Sequence, residues 1–304
     1  MTTVSDMLYQ LGGIPVDLQV PPRATAFFVH AGSGNAGNNG LTPSAALTKL
    51  DDAINLCTAS RGDTIFCLPG HAENLITATA VNLNVAGVRV IGLGDGALIP
   101  TFTMTAAAGA FTVGAASVLL KNLKLLAGFA TGVTQAIDII AAGVGCTLDG
   151  IKFRDSTTNL EFLTTINVAT GMTNLTIRNC SMIGLAGGSM IAGILFAGTS
   201  IDTLIEGNHF DVDSSDSVID HSAGAGSGIL IRHNSVINQD TNTAKFCIEL
   251  KSDCYGTVHD NRLGYNKNDS VPIAAAGCFC FQNYVSNTIA ESGLLFPTTT
   301  HAIP

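Results

Sequence analysis

The chain has 304 residues, of which 46% are hydrophobic, so it forms a large core and is not intrinsically disordered. Only 12% of the residues are charged, against about 25% in an ordinary soluble domain, so much of the surface is uncharged or covered by other chains, which favours an oligomer or a packed assembly. The net charge of -9 and the lack of a Lys/Arg-rich run exclude nucleic acid as a partner. Residues 1–19 lack the basic start of a signal peptide, and no stretch is apolar enough to predict a membrane partner.

Residues 1–22 precede every repeat and form an apolar-rich segment that is broken by Gly12-Gly13 and closed by Pro21-Pro22. One interpretation is a strand or short helix folded back on the next domain. The other is an N-terminal attachment arm that becomes ordered when it docks on a neighbouring subunit. The apolar side chains that would bind are Met7, Leu8, Tyr9, Leu11, Ile14 and Val16.

A cap helix is predicted next, near residues 43–60. Thr42-Pro43-Ser44 is typical of a helix start, and Leu47, Leu50, Ala53, Ile54 and Cys57 fall on one face. The preceding loop, Gly32 to Gly37, satisfies G-x-G-x-x-G. A dinucleotide site also needs a helix that starts inside the motif, and here the loop continues through Gly40. We therefore expect no bound cofactor.

Seven segments then repeat at spacings of 22 to 29 residues. They are VLLKNLKL (118–125), CTLDGIKF (146–153), LTIRNCSM (175–182), TLIEGNHF (203–210), ILIRHNSV (229–236), GTVHDNRL (256–263) and CFCFQNYV (278–285). An earlier segment, VRVIGLG, fits with Gly92 as the fifth letter. The position two before the fifth letter and the position three after it are apolar throughout, which predicts two short strands facing one core.

The fifth letter of each segment favours residues that tolerate a left-handed backbone, so it predicts a sharp corner. These corner residues are Asn122, Gly150, Asn179, Gly207, His233, Asp260 and Gln282. Extending the register back to Ile65 gives about nine coils. The sequence thus predicts an all-β, right-handed, single-stranded parallel β-helix over residues 23–285, with an N-terminal α-helical cap and a C-terminal tail over 286–304.

Two polar columns flank the corner. The position before it alternates in charge through Lys121, Asp149, Arg178, Glu206 and Arg232 before His259, so stacked coils would place opposite charges side by side. The position after it is asparagine on four consecutive coils, which predicts a stack of amides hydrogen-bonded along the axis. The predicted stack consists of Asn208, Asn234, Asn261 and Asn283.

Residues 27–75, from FFVHAGSGNAGNNG to GDTIFCLPGHAENL, resemble the opening of pectin-lyase-like right-handed parallel β-helix proteins. In these proteins a strand, a Gly/Asn loop, a cap helix and a GD-T-I-x-x-x-PG strand follow in that order. With the coils included, the resemblance covers about residues 23–285 and implies the fold. The superfamily contains polysaccharide lyases, glycosidases, phage tailspikes and non-enzymatic virion proteins, so function must be argued from the residues.

We find no catalytic and no metal-binding constellation in the sequence. The paired aspartates, G-H-G and R-x-K segments of polygalacturonase-like enzymes are missing. Val218-Ile219-Asp220-His221 resembles the W-I-D-H segment of pectate lyases, but the chain has no Trp and lacks the matching arginine segment. The dense acidic group Asp211, Asp213, Asp216 and Asp220 does not fit a calcium loop, and we expect a solvated loop there.

Other polar neighbours have a structural interpretation. Asp149 and Glu206 belong to the alternating charge column, and His233 and Asp260 form either an acid/base pair or a single hydrogen bond at adjacent corners. The eight cysteines include no C-x-x-C pair, and we expect most to be buried thiols.

These features favour a non-catalytic structural virion protein, made in the host cytoplasm and packaged. We expect a homotrimeric phage capsid-decorating or tail-associated β-helix that binds viral capsid or tail proteins. The alternative is a carbohydrate-active β-helix, either a polysaccharide lyase or hydrolase or a tailspike-like receptor-binding protein. The lack of Trp and the presence of only four Tyr count against broad sugar-stacking surfaces.

Overall fold

The chain folds as an all-β parallel β-solenoid, seen in a computed structural model that describes residues 21, 23–157, 159–184, 188–240, 246–265, 272–287 and 293–295. Three sheets, named A, B and C, form its walls, and each coil passes through them in that order. The attachment arm, except for Pro21, and most of the C-terminal tail lie outside the described residues. None of the helices in the described ranges is long and apolar enough to cross a membrane.

Sheet A contains β1 (Ala26–Val29), β2 (Thr64–Cys67), β5 (Arg89–Gly92), β8 (Leu119–Lys121), β11 (Thr147–Asp149), β14 (Met172–Thr173), β15 (Thr176–Arg178), β18 (Ser200–Glu206), β21 (Gly226–Arg232), β24 (Gly256–His259) and β27 (Cys278–Phe281). Sheet B contains β3 (Ala72–Leu75), β6 (Thr101–Met104), β9 (Lys124–Ala127), β12 (Lys152–Arg154), β16 (Ser181–Ile183), β19 (His209–Val212), β22 (Ser235–Asn238), β25 (Arg262–Tyr265), β28 (Asn283–Asn287) and β29 (Gly293–Leu295). Sheet C contains β4 (Val81–Leu83), β7 (Phe111–Val113), β10 (Val133–Ile139), β13 (Phe162–Val168), β17 (Ala192–Phe196), β20 (Ile219–His221), β23 (Ile248–Leu250) and β26 (Ile273–Ala274).

The seven repeated segments lie at the corner between sheets A and B, and their strands are stacked in the register read from the sequence. All seven corner residues have left-handed φ angles, between 52° and 68°. This conformation turns the corner N–H toward the next coil: Asn122 N donates to the Asp149 carbonyl at 3.0 Å, and Gly150 N donates to the Arg178 carbonyl at 3.0 Å. The predicted corner is therefore confirmed.

Gly92 differs from the other corner residues. It is paired in register with its neighbours but does not have a left-handed φ. A Cβ at this position would collide with the carbonyl oxygen of Asn122, so the absence of a side chain, not a special φ, is what the position requires.

A second left-handed column lies five residues before the corner, where the chain enters sheet A. Its members have φ angles between 54° and 78° and are Gly62, Gly87, Ser117, Gly145, Asn174, Asp202 and Gly228. The same preference for Gly, Asn, Asp and Ser could have revealed this column in the sequence. Strands β8, β11 and β15 are each bounded by two left-handed residues, whereas β18 and β21 run through the first of them, at Asp202 and Gly228.

The coil count is lower than expected. Sheet C contains eight strands, so the chain makes seven full turns between the first and the last of them, not nine. The sequence register counted strands of sheet A. The last of these, β27, is followed in the described chain by β28 and by β29, which pairs antiparallel with β28 instead of entering sheet C.

The α-helical cap expected over residues 43–60 is not formed. A 3-10 turn spans Pro43–Ala45, and a five-residue helix, α1, spans Leu50–Ile54. Extended backbone at Ala46 and Lys49 separates them. Leu47 is not helical because its backbone hydrogen-bonds to the edge of β1. Its N–H donates to Phe28 O at 2.9 Å, and its carbonyl accepts from His30 N at 2.8 Å.

The core is one continuous apolar column enclosed by the three sheets. Leu120, Leu148 and Ile177 fill it from sheet A, and Phe153 and Phe210 fill it from sheet B, all at most 1% exposed. Burial of side chains of this size contributes about 1.5–3 kcal/mol each, so the stacked core carries most of the folding free energy.

Candidate functional site

The four predicted asparagines form one chain of amide hydrogen bonds inside the corner. Asn208 Nδ2 donates to Asn234 Oδ1 at 3.0 Å, Asn234 Nδ2 to Asn261 Oδ1 at 3.0 Å, and Asn261 Nδ2 to Asn283 Oδ1 at 2.9 Å. The four residues are at most 1% exposed. The structure therefore brings all of them together in the core-facing part of the last coils.

Each amide in this stack also bonds to backbone. Asn234 Oδ1 accepts the Asn208 N–H at 2.9 Å, and Asn234 Nδ2 donates to the Ile205 carbonyl at 2.9 Å. The stack ends at Cys180, whose N–H donates to Asn208 Oδ1 at 2.8 Å. Because the buried amides have partners on both sides, the stack tolerates burial that would otherwise cost about 1–3 kcal/mol per unpaired group.

The charge column on the outer face of sheet A is also in register. Arg178 Nη2 lies 3.0 Å from Asp149 Oδ2, and Lys121 Nζ lies 3.9 Å from the same oxygen. Farther along, Arg232 Nη2 lies 3.1 Å from Glu206 Oε1. Such half-exposed pairs contribute about 0.2–1 kcal/mol each, so their main effect is on which strands align. Asp149 and Glu206 are separate members of this column and do not form a common site.

At the corner, the His233–Asp260 pair is looser than expected. His233 lies 3.8 Å from both Glu206 and Asp260, while the short bond of Asp260 Oδ2, at 2.7 Å, is to His259 Nδ1. The His259 ring in turn stacks on Phe281 with ring centroids 4.8 Å apart and an angle of 3°. His259, the residue before Asp260 in the chain, is therefore the close partner of Asp260, and the neighbouring corner residue His233 is not.

The acidic group at residues 211–220 is divided between two walls. Asp211 lies on β19 of sheet B, where it accepts a hydrogen bond from Gln239 Nε2. Asp220 lies on β20 of sheet C, is 6% exposed, and accepts from Ser222 N at 2.8 Å. The solvated loop expected here is therefore wrong for Asp211 and Asp220, because both belong to strands.

Asp220 has a neighbour that the sequence argument missed. Glu249 is its register partner on the next coil of sheet C, and Glu249 Oε2 accepts from Ser217 Oγ at 2.6 Å. The residues are 29 positions apart, so only an alignment of the sheet C strands with one another could have revealed the pair. Among the described strands of sheet C, this is the one place where strand pairing sets two carboxylates side by side.

A buried polar group lies behind this wall. Ser200 Oγ and His221 Nε2 are 2.8 Å apart, and His221 Nδ1 lies 3.1 Å from the Gly224 carbonyl. Burial lowers the pKa of His221, although the bond to Gly224 opposes this effect. The neutral ring therefore donates from Nδ1 to Gly224 and accepts the Ser200 hydroxyl at Nε2. Ser200 and His221 are 2% and 1% exposed, so the pair resembles a nucleophile and base without access to substrate.

The remaining candidate groups do not converge. No cluster of three or more His, Cys, Asp or Glu side chains suited to a metal ion occurs within the described residues. The eight cysteines are free thiols, and burial raises the pKa of Cys146, Cys180, Cys247 and Cys278 to about 12. The arm residues Met7, Leu8, Tyr9, Leu11, Ile14 and Val16 lie outside the described residues.

Comparisons with known proteins give only distant similarity. No protein-family model matches the sequence, and no curated protein matches it. One similar solved structure is the GH136 lacto-N-biosidase from Eubacterium ramulus, at 12% identity and a TM-score of 0.40. The similarity covers 86% of this chain and 67% of that one.

Proposed function

We propose that the protein is a structural component of a virus particle, a homotrimeric capsid-decorating or tail-associated β-helix that is held by residues 1–22 and has no catalytic activity. The observation that carries this proposal is the use of the polar side chains. The Asn stack and the Arg178–Asp149 and Arg232–Glu206 pairs all bond from coil to coil. Polar groups arranged in this way align a rigid rod and do not converge on a substrate.

The low charge supports the same proposal. With 12% charged residues, an isolated rod of this size presents long uncharged stretches to water, which is typical of surfaces that other chains cover. We also infer a right-handed winding, since nearly all parallel crossover connections have that hand. We propose in addition that the protein is related to pectin-lyase-like β-helices and comes from a phage.

The experiment that tests the proposal is a deletion of residues 1–20. The truncated protein should remain folded and trimeric by light scattering but should no longer co-sediment with purified particles. A matched control is the substitution of Asn39, an exposed loop residue, by Ala, which should leave incorporation unchanged. Undiminished incorporation of the truncated protein would contradict the role of the arm, and absence of the full chain from particles would contradict the virion assignment.

A second candidate function is favoured by one observation, the Asp220–Glu249 pair on the outer face of sheet C. A glycoside hydrolase needs at least two neighbouring carboxyl groups, because one must donate a proton while the other stays ionised. Under this alternative the protein is a carbohydrate-active β-helix. Turnover of a polysaccharide that Asp220→Asn and Glu249→Gln both abolish would establish it.

A further inference from the structure

The outer face of sheet A carries a run of seven stacked residues without a charge, which begins one coil after their register neighbour Arg89. It lies two positions before the charge column and continues in register across seven coils. Its members, here called the neutral column, are Leu119, Thr147, Thr176, Leu204, Leu230, Thr257 and Phe279. The first six are half-buried and Phe279 is 66% exposed. At a strand spacing of about 4.8 Å the column is about 29 Å long.

The other walls have no equivalent. One outward column of sheet B contains Lys124, Lys152, His209 and Arg262, and the other contains Arg154 and Asp211. The outward column of sheet C contains Asp138, Asp220 and Glu249. Charges interrupt each of these columns, whereas the neutral column of sheet A is uncharged over the seven described coils from Leu119 to Phe279.

The residues beside the neutral column nearly cancel in charge. From Lys121 to Arg232 the charge column holds three cations and two anions, a sum of +1, in a chain whose net charge is -9. Arg178–Asp149 and Arg232–Glu206 are also paired within the column. The net charge of -9 makes two copies of the chain repel each other, and the charge column does not add to that repulsion.

We propose that the outer face of sheet A is where copies of this chain associate, with the neutral column next to the symmetry axis. This inference rests on the homotrimer of the proposed function and names its contact face. Close to a rotation axis each residue meets its own copies, so a charged residue would face like charges. A column of Leu, Thr and Phe avoids this problem over its whole length, which identifies a second copy of the chain as the occupant.

The aromatic end of the face supports the same occupant. Phe279 and Phe281 project from β27 at 66% and 42% exposure, and Phe281 already stacks on His259. Tyr255, just before β24 on the preceding coil, is 65% exposed, and the large hydrophobic side chains exposed on the described coils before it are all aliphatic. Aromatic residues are enriched at protein interfaces, where their area is buried with little loss of rotamer freedom.

The test compares two threonines that are both outward-facing and half-buried. Thr176 lies in the neutral column, and Thr103 lies on β6 of sheet B. Sedimentation velocity of the full chain should show an oligomer for the wild type and for Thr103→Glu, and an oligomer fraction at least tenfold lower for Thr176→Glu. Circular dichroism would verify that each variant is folded. As a second measurement, Thr176→Cys should form a disulfide between copies on mild oxidation, and Thr103→Cys should not.

The outcomes separate this inference from the proposed function. An oligomer that Thr176→Glu leaves intact, together with no cross-link at residue 176, would overturn the contact face while leaving the trimer in place. A monomeric wild type would overturn both the contact face and the trimer, and co-sedimentation with particles would still decide the virion role. If Thr176→Glu does not fold, the cross-linking result decides.

Discussion

Ser200 and His221 form a hydrogen-bonded pair inside the solenoid, with Oγ and Nε2 2.8 Å apart. Their strands belong to different walls, β18 in sheet A and β20 in sheet C. The His221 ring also stacks on Phe196 at a centroid distance of 4.4 Å, and Thr203 Oγ1 donates to Ser200 Oγ at 3.2 Å. The pair therefore joins two walls by a neutral imidazole whose two nitrogens both have a partner.

The first prediction concerns pH. Burial holds the folded-state pKa of His221 below its ordinary value of 6.5. The unfolded chain takes up the proton first, so stability is retained above about pH 6.5 and lost as the pH falls toward the folded-state pKa, where the loss levels off. Denaturant melts between pH 7.5 and 5 should show a smaller pH effect for His221→Gln than for the wild type. The exposed His209→Gln is the control, and an identical pH effect in all three proteins would contradict the prediction.

The second prediction concerns the Asn stack. Asn234→Ala removes the acceptor of the Asn208 N–H and the donor to the Ile205 carbonyl, which leaves buried backbone groups unpaired. At about 1–3 kcal/mol for each such group, the melting temperature should fall by several degrees. Asn39→Ala, which loses one local bond in an exposed loop, should have little effect. Equal and negligible shifts would mean that the stack does not stabilise the protein.

The third prediction concerns the second left-handed column. Ser117 has a φ of 58°, a conformation that β-branched residues avoid. Ser117→Val should therefore lower the free energy of unfolding by more than about 1 kcal/mol. Ser235→Val, on strand β22, places the same side chain in extended backbone and should be neutral or stabilising. Chemical denaturation measures both variants, and equal stability would count against backbone strain at residue 117.

The fourth prediction is that the protein does not cleave polysaccharides. Asp220 and Glu249 already accept hydrogen bonds from Ser222 and Ser217 on the same wall, which suits a structural role. Pectins, alginates and bacterial capsules, assayed for new reducing ends and unsaturated products, should give no signal above that of Asp220→Asn. Turnover that disappears in this variant would support the carbohydrate-active alternative instead.

Repetition made part of this structure predictable from sequence. The corner residues from Asn122 to Gln282 recur with core-facing neighbours, so one register assigned the seven corners and their cross-coil partners. The same register could not give the Asp220–Glu249 pair, because the repeated segments contain strands of sheets A and B only. The prediction of a cap helix was wrong for a different reason. The backbone of Leu47 hydrogen-bonds to the edge of β1, and that tertiary contact overrides the helical pattern of the sequence. The Ser200–His221 pair joins strands of two different sheets, and no local pattern in the sequence indicates such a contact.

Strand β29 has a consequence for how long such a rod can become. It lies antiparallel on β28, at the end of sheet B, where a further coil would have to add a parallel strand. Among the described strands, β27 and β26 are the last of their sheets and could pair with an incoming chain end, but the edge of β28 is already occupied by β29. Fibre growth by head-to-tail stacking requires all three edges at once. The reversed strand therefore terminates the solenoid and protects a protein rich in parallel strands from polymerising along its own axis.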